Sequence, residues 1–124
     1  MVAHCLAGLP NEGCGLLAGR PDNEKAEICY PTRNLADSAR VYTVDPKQHL
    51  LADRDAEQRG MELIGVFHSH THTAAYPSPT DVEQAPDPAW HYVLISLAAE
   101  APILRSYRID DGAITEEPVV LEKG

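Results

Sequence analysis

The stretch MELIGVFHSH, residues 61 to 70, decides the fold. Its apolar run of Leu, Ile, Val and Phe starts after Gly60 and gives way to a loop of small residues, which favours a central β-strand. Three of the six histidines in the chain, at positions 68, 70 and 72, stand at alternate positions from its end. Side chains alternate faces along a strand, so His68 and His70 point the same way and Ser69 points opposite. Two imidazoles can therefore meet one metal ion.

Downstream, the loop TAAYPSP (73 to 79) is long enough to fold the chain back onto the strand end. Ser78-Pro79-Thr80-Asp81 has the pattern of a helix start, with Ser78 as N-cap, Pro79 at the first helical position and an acid at the third, as in a capping box. Asp81 can then add a carboxylate to the two histidines. Two histidines and a carboxylate, with a fourth position left to water, are the ligand set of a catalytic zinc site, whereas magnesium and calcium prefer all-oxygen shells. Two alternatives stay open on the residues alone. His72 would also lie on the same face and could replace Asp81 in a three-histidine site, and Ser78 could be a plain N-cap worth about 1 kcal/mol.

The flanking chain divides into short elements, punctuated by ten prolines. Residues 2 to 9 read as the last turns of a helix stopped by Pro10. GCGLLAG (13 to 19) and AEICYPTRN (26 to 34) read as a hairpin around Pro21, Asp22 and Asn23, and ARVYTV (39 to 44) as a third strand. Asp45-Pro46 starts a helix that should run from Pro46 to Arg59 and stop at Gly60. HYVLISL (91 to 97), ILRSYRI (103 to 109) and AITEEPVVL (113 to 121) follow as strands, the last two joined by Asp110-Asp111-Gly112. The expected fold class is a single mixed α/β domain, residues 1 to 124, whose β-sheet is flanked by two or three helices.

The net charge of −9 disfavours nucleic acid and anionic membranes as partners, because phosphate backbones and acidic lipids repel an acidic surface. Cys5, Cys14 and Cys29 form an odd set without CxxC spacing, which points to free, mostly buried thiols and a reducing, cytoplasmic setting. No apolar run reaches the roughly 20 residues that span a bilayer. His4, His49, His91 and Trp90 read as structural, Tyr76 as packing beside the cleft, and Cys14 as a buried small residue.

The spacing His68-Ser69-His70, seven residues, Ser78, two residues, Asp81 resembles without a gap the signature of the JAMM (MPN+) metalloprotease family. That pattern also has an upstream glutamate just before a glycine-rich strand, and the segment from Pro10 through Glu12 to Gly19 resembles it. The resemblance implies a cytidine-deaminase-like JAMM/MPN architecture and Zn2+ on His68, His70 and Asp81. It further implies Glu12 as general base and Ser78 as a hydrogen-bond donor to the oxyanion. AYPSPTD, HYVLIS and RSYRIDDGAITEE are similar to one bacterial branch of the family, whose peptidases remove a cysteine adduct from the C-terminal Gly-Gly tail of a ubiquitin-like sulfur carrier protein. The implied partner is such a carrier, and the implied product is cysteine.

Two departures qualify the likeness. The family's N-terminal strand is missing and the chain starts inside the following helix, so the expectation is a less stable domain or a homodimer that covers the bare edge. The insertions with which many deubiquitinases hold a second ubiquitin find no room, which argues against cleavage between ubiquitins. Other carrier adducts remain as a rival substrate. A non-catalytic metal-binding scaffold remains as a rival class, although scaffolds of this family commonly lack a ligand and here all are present.

Overall fold

The computed structural model describes residues 13–20, 26–32, 44–71, 73–78, 81–82, 89–98 and 101–119. The apolar segment quoted above forms β3 (Glu62–His70), third in a six-stranded mixed sheet of order β2-β1-β3-β4-β5-β6. The others are β1 (Cys14–Gly19), β2 (Ile28–Thr32), β4 (His91–Ser96), β5 (Ile103–Asp110) and β6 (Ala113–Glu117). Only β3 and β4 run parallel; the remaining neighbours are antiparallel. β3 is buried over nearly its whole length, and the parallel pair at the centre of the sheet accounts for its near-continuous apolar run.

The hairpin of β1 and β2 forms as expected, pairing Cys14 with Thr32 and Leu16 with Tyr30. Pro31 is accommodated because β2 is an edge strand, where a missing N–H costs no ladder bond on the outer side. β5 and β6 turn through Asp111 (φ 48°) and Gly112 (φ 84°), two successive left-handed residues that suit a two-residue hairpin loop. β6 ends at Glu117 rather than continuing to 121, as Pro118 removes the next donor. Of the strand expected over 39 to 44 only Val44 lies among the described residues, and it makes an isolated bridge. The helix expected over 2 to 9 lies outside them.

Helix α1 (Pro46–Gln58) starts where the sequence places it: the Asp45 carboxylate accepts from the Lys47 amide at 2.9 Å and Pro46 occupies the first turn. It turns Ala52 and Ala56 to the sheet, where they pack with Leu16, Val66, Tyr92 and Ile109. Small residues on that face let the helix backbone approach the strands closely. A second cluster, Leu17, Phe67, Val93 and Ile95, forms from side chains of alternate parity in the same strands. Burying each such Leu, Ile or Phe stabilises the fold by about 1.5–3 kcal/mol. A second helix begins at Ser78, marked by the Val82 amide donating to the Ser78 carbonyl at 3.0 Å. Among the described residues the sheet thus carries one complete helix and the first turn of another.

Candidate metal centre

β3 ends next to the end of β4, with His68 beside Leu94 and His70 beside Ser96. The carboxyl ends of parallel strands are the usual place for a ligand in a mixed sheet. His68 and His70 project to one face as their spacing requires, and both side chains are nearly inaccessible, at 3% and 5%. Their Nε2 atoms stand 3.2 Å apart. Asp81 completes the cluster, one carboxylate oxygen 3.1 Å from His68 Nε2 and the other 2.9 Å from His70 Nε2.

The carboxylate is aimed by the helix start that bears it. The Ser78 amide donates to Asp81 Oδ2 at 2.8 Å and the Asp81 amide donates to Ser78 Oγ at 3.1 Å, a reciprocal capping box with aspartate in the acid position. One oxygen therefore serves both the cap and His70. The Ser78 hydroxyl accepts with a lone pair, which leaves its hydrogen for another acceptor.

Protonation follows from the neighbours. His70 Nδ1 faces the Ala74 carbonyl at 2.9 Å and must donate, so the proton of a neutral His70 sits on Nδ1 and its Nε2 presents a lone pair to the cluster. Burial lowers the pKa of His68, against the opposing pull of Asp81, and favours a neutral ring there as well. Burial works to raise Asp81, but the two imidazoles at 2.9–3.1 Å and the hydrogen bond from the Ser78 amide outweigh it and hold the carboxyl well below the usual range. Lone pairs of two imidazoles and a carboxylate converging at 2.9–3.2 Å call for a cation between them. A tetrahedral ion with bonds of about 2.0–2.1 Å would separate its ligands by roughly 3.4 Å, so the set fits zinc with a small outward relaxation.

Of the other expected site residues, Glu12 and His72 lie outside the described residues. The backbone right after Glu12 is fixed, however: the Gly13 amide donates to Ser69 Oγ at 2.8 Å and the Ser69 amide donates to the Gly13 carbonyl at 2.9 Å. The residue between the two histidines thus clamps the chain that leads from Glu12.

The sequence profile described as prokaryotic homologs of the JAB domain matches residues 1–110. The chain belongs to this family. A CysO-cysteine peptidase from Mycobacterium bovis is 44% identical over 120 residues, 96% of this JAB domain chain and 82% of the relative. A desampylase from Haloferax volcanii is 35% identical over 88 residues, 70% of this chain and 63% of the relative. Among solved structures, that of a Desulfitobacterium hafniense protein superposes with a TM-score of 0.90 at 39% identity, covering 100% of this chain and 87% of the other.

Several residues around the JAB site were not evident from sequence. Ser69 was readable only as a side chain pointing away from the metal face, whereas it is fully buried and bonded to Gly13. Ser96 and Tyr107, at 3% and 2% exposure, bond to the loop after the histidines; a buried hydroxyl in an apolar strand was their one signal. Cys14 is buried beside Thr32, and neither Cys14 nor Cys29 is in a disulfide. Tyr76 is 56% exposed and meets Tyr107 edge-on, so it is less a packing residue than its sequence position implied. His91 is satisfied, as expected, but by Glu117 in a partly buried position rather than in the core.

Proposed function

We propose that this JAB domain is a zinc-dependent cytoplasmic peptidase that hydrolyses the amide bond at the C-terminal Gly-Gly tail of a ubiquitin-like sulfur carrier protein, releasing cysteine. The observation that carries the chemistry is the convergence of His68, His70 and Asp81, whose ligand atoms lie within 4.8 Å of one another. The substrate rests on the likeness to the mycobacterial CysO-cysteine peptidase along nearly the full chain. Cys14 and Cys29, neither of them in a disulfide, agree with a reducing compartment.

Amide hydrolysis needs an acidified water, a polarised carbonyl and a proton for the departing nitrogen. Zinc, when bound, supplies a Lewis acid and lowers the pKa of a water from 15.7 toward about 7. His68 and His70 would hold it as neutral imidazoles, and Asp81 would offset part of its charge. Glu12, joined to the clamped Gly13, takes the proton of the water and passes it to the leaving nitrogen, a role that contributes about 10²- to 10⁴-fold. The Ser78 hydroxyl donates its hydrogen to the developing oxyanion, and loss of one such donor costs about 2.7–4 kcal/mol. A second reading, cleavage of another carrier adduct, has the desampylase relative in its favour.

Intact-mass spectrometry of a Gly-Gly-tailed carrier bearing a C-terminal cysteine tests the proposal. Loss of one cysteine residue with zinc-loaded protein, and none with a chelated control, is the expected result. Glu12→Gln should retain zinc and lose activity by at least about 10²-fold; activity within tenfold of the parent removes Glu12 as the base. No mass change at full zinc occupancy would turn the search to other adducts.

A further inference from the structure

In the loop between β3 and the capping box, the described residues 71 and 73–77 have no regular secondary structure, yet three consecutive carbonyls are each taken by a side chain from a different strand. Ser96 Oγ, at the end of β4, donates to the Thr73 carbonyl at 2.6 Å. His70 Nδ1, at the end of β3, donates to the Ala74 carbonyl at 2.9 Å. Tyr107 Oη, from β5, donates to the Ala75 carbonyl at 2.5 Å. Ala75 is itself buried at 5% exposure, so its carbonyl has little recourse to water once the phenol is removed.

The middle bond of the three sets the tautomer of His70. The outer two fix the peptide units that flank the Ala74–Ala75 peptide, and so the direction in which the Ala74 carbonyl points. Register explains how residues so far apart in sequence reach one loop. Ser96 lies beside His70 in the parallel pair, and Tyr107 lies beside Tyr92 in the next, which puts His70, Ser96 and Tyr107 on the same face of the sheet. Past Ala75 the same loop leads to Ser78 and Asp81, so its placement also sets where the third ligand arrives.

We propose that Ser96 and Tyr107 are positioning residues for the metal centre: by holding the carbonyls of Thr73 and Ala75 they aim the Ala74 carbonyl at His70 Nδ1 and bring Asp81 to His68 and His70. The proposal rests on the metal-binding reading of the site, and adds to it that two hydroxyls which touch no ligand govern the ligand geometry. Partners that orient a metal-ligating histidine typically alter affinity 10- to 100-fold when removed. The present pair acts one bond further out.

The test is zinc affinity of the full chain, measured by competition with a chromophoric chelator, for Tyr107→Phe and Ser96→Ala. Each should bind zinc roughly tenfold more weakly than the parent, and Ser96→Thr, which keeps the hydroxyl, should restore binding. Ser106→Ala serves as the control for lost stability alone. Ser106 is also buried and bonded, but to Glu117, and it lies beside Val93 on the opposite face, so its loss should leave the affinity unchanged. Long-range proton–nitrogen correlation on the His70 ring gives a second readout. The parent should show one tautomer with the proton on Nδ1, and the two variants a mixture.

Parent-like affinity and a single His70 tautomer in either folded variant would overturn the role of that residue, and in both the proposal. Should one variant fail to fold, the other decides. A parent protein that binds no zinc would overturn the metal reading itself, an outcome visible before any variant is made.

Discussion

Several single atoms in this JAB domain serve two partners at once. Asp81 Oδ2 faces His70 and accepts from the Ser78 amide; Ser78 Oγ caps the helix while keeping its hydrogen for another acceptor. Ser69 both donates and accepts in its clamp on Gly13. Ser69→Ala would leave the buried Gly13 amide without its hydroxyl partner, and should lower stability in urea unfolding by about 1–3 kcal/mol. On the proposed role of Glu12 it should reduce kcat more than zinc affinity, because the amide that loses its partner is that of Gly13, next to Glu12, while the Ser69 backbone keeps its own bond to the Gly13 carbonyl. His68, His70, Ser78 and Asp81 were legible in the sequence because their relation is local: a two-residue strand period and a four-residue capping box. Ser96 and Tyr107 were not, because their partners lie 23 and 32 residues away and only the assembled sheet brings them together.

Among elements, the parallel pairing of β3 with β4 does most to place the site, and one glycine permits it. A Cβ on Gly65 would stand 2.3 Å from the His91 carbonyl oxygen, a backbone atom held in the ladder between these strands. Gly65→Ala should therefore push the strands apart and destabilise the domain by about 2–3 kcal/mol, at the upper end of what overpacking costs, as read from the shift of the urea midpoint at constant slope. The elements themselves were largely readable. β3 and β4 show apolar and β-branched runs, and α1 is bracketed by Asp45-Pro46 and Gly60. What the chain could not display was their order. Nothing local tells β1 to sit between β2 and β3, since that choice is made by the match of Cys14 and Leu16 with His68 and Val66 across the ladder.

Across the whole molecule, two clusters of titratable side chains among the described residues lie toward opposite ends of the central strands. At one end is the His68–His70–Asp81 cluster; at the other, where Gly65 meets the start of β4, His91, Ser106 and Arg108 converge on Glu117 of β6. Burial works to raise the Glu117 pKa, but these three bonds outweigh it and hold the carboxyl below the ordinary glutamate value. The unfolded chain then takes up a proton first as the pH falls. The stabilisation is complete above the ordinary value of 4.5 and is lost as the pH drops through the lowered one. Glu117→Gln should lower the Tm at pH 7 by roughly 2–4 °C, a modest shift because the group is partly exposed, and the gap should narrow as the pH falls below 4.5 in calorimetric scans.

The two histidines and the aspartate are not equally tethered. His68 and His70 close a strand bonded on both sides deep in the sheet, and neither can leave without opening the core. Asp81 hangs on a first helical turn at the end of an irregular loop. An ion held among them would rest on two ligands built into the sheet and one carried by a capped helix start. The site thus joins a half fixed by strand pairing to a half fixed by side chains that reach in from neighbouring strands.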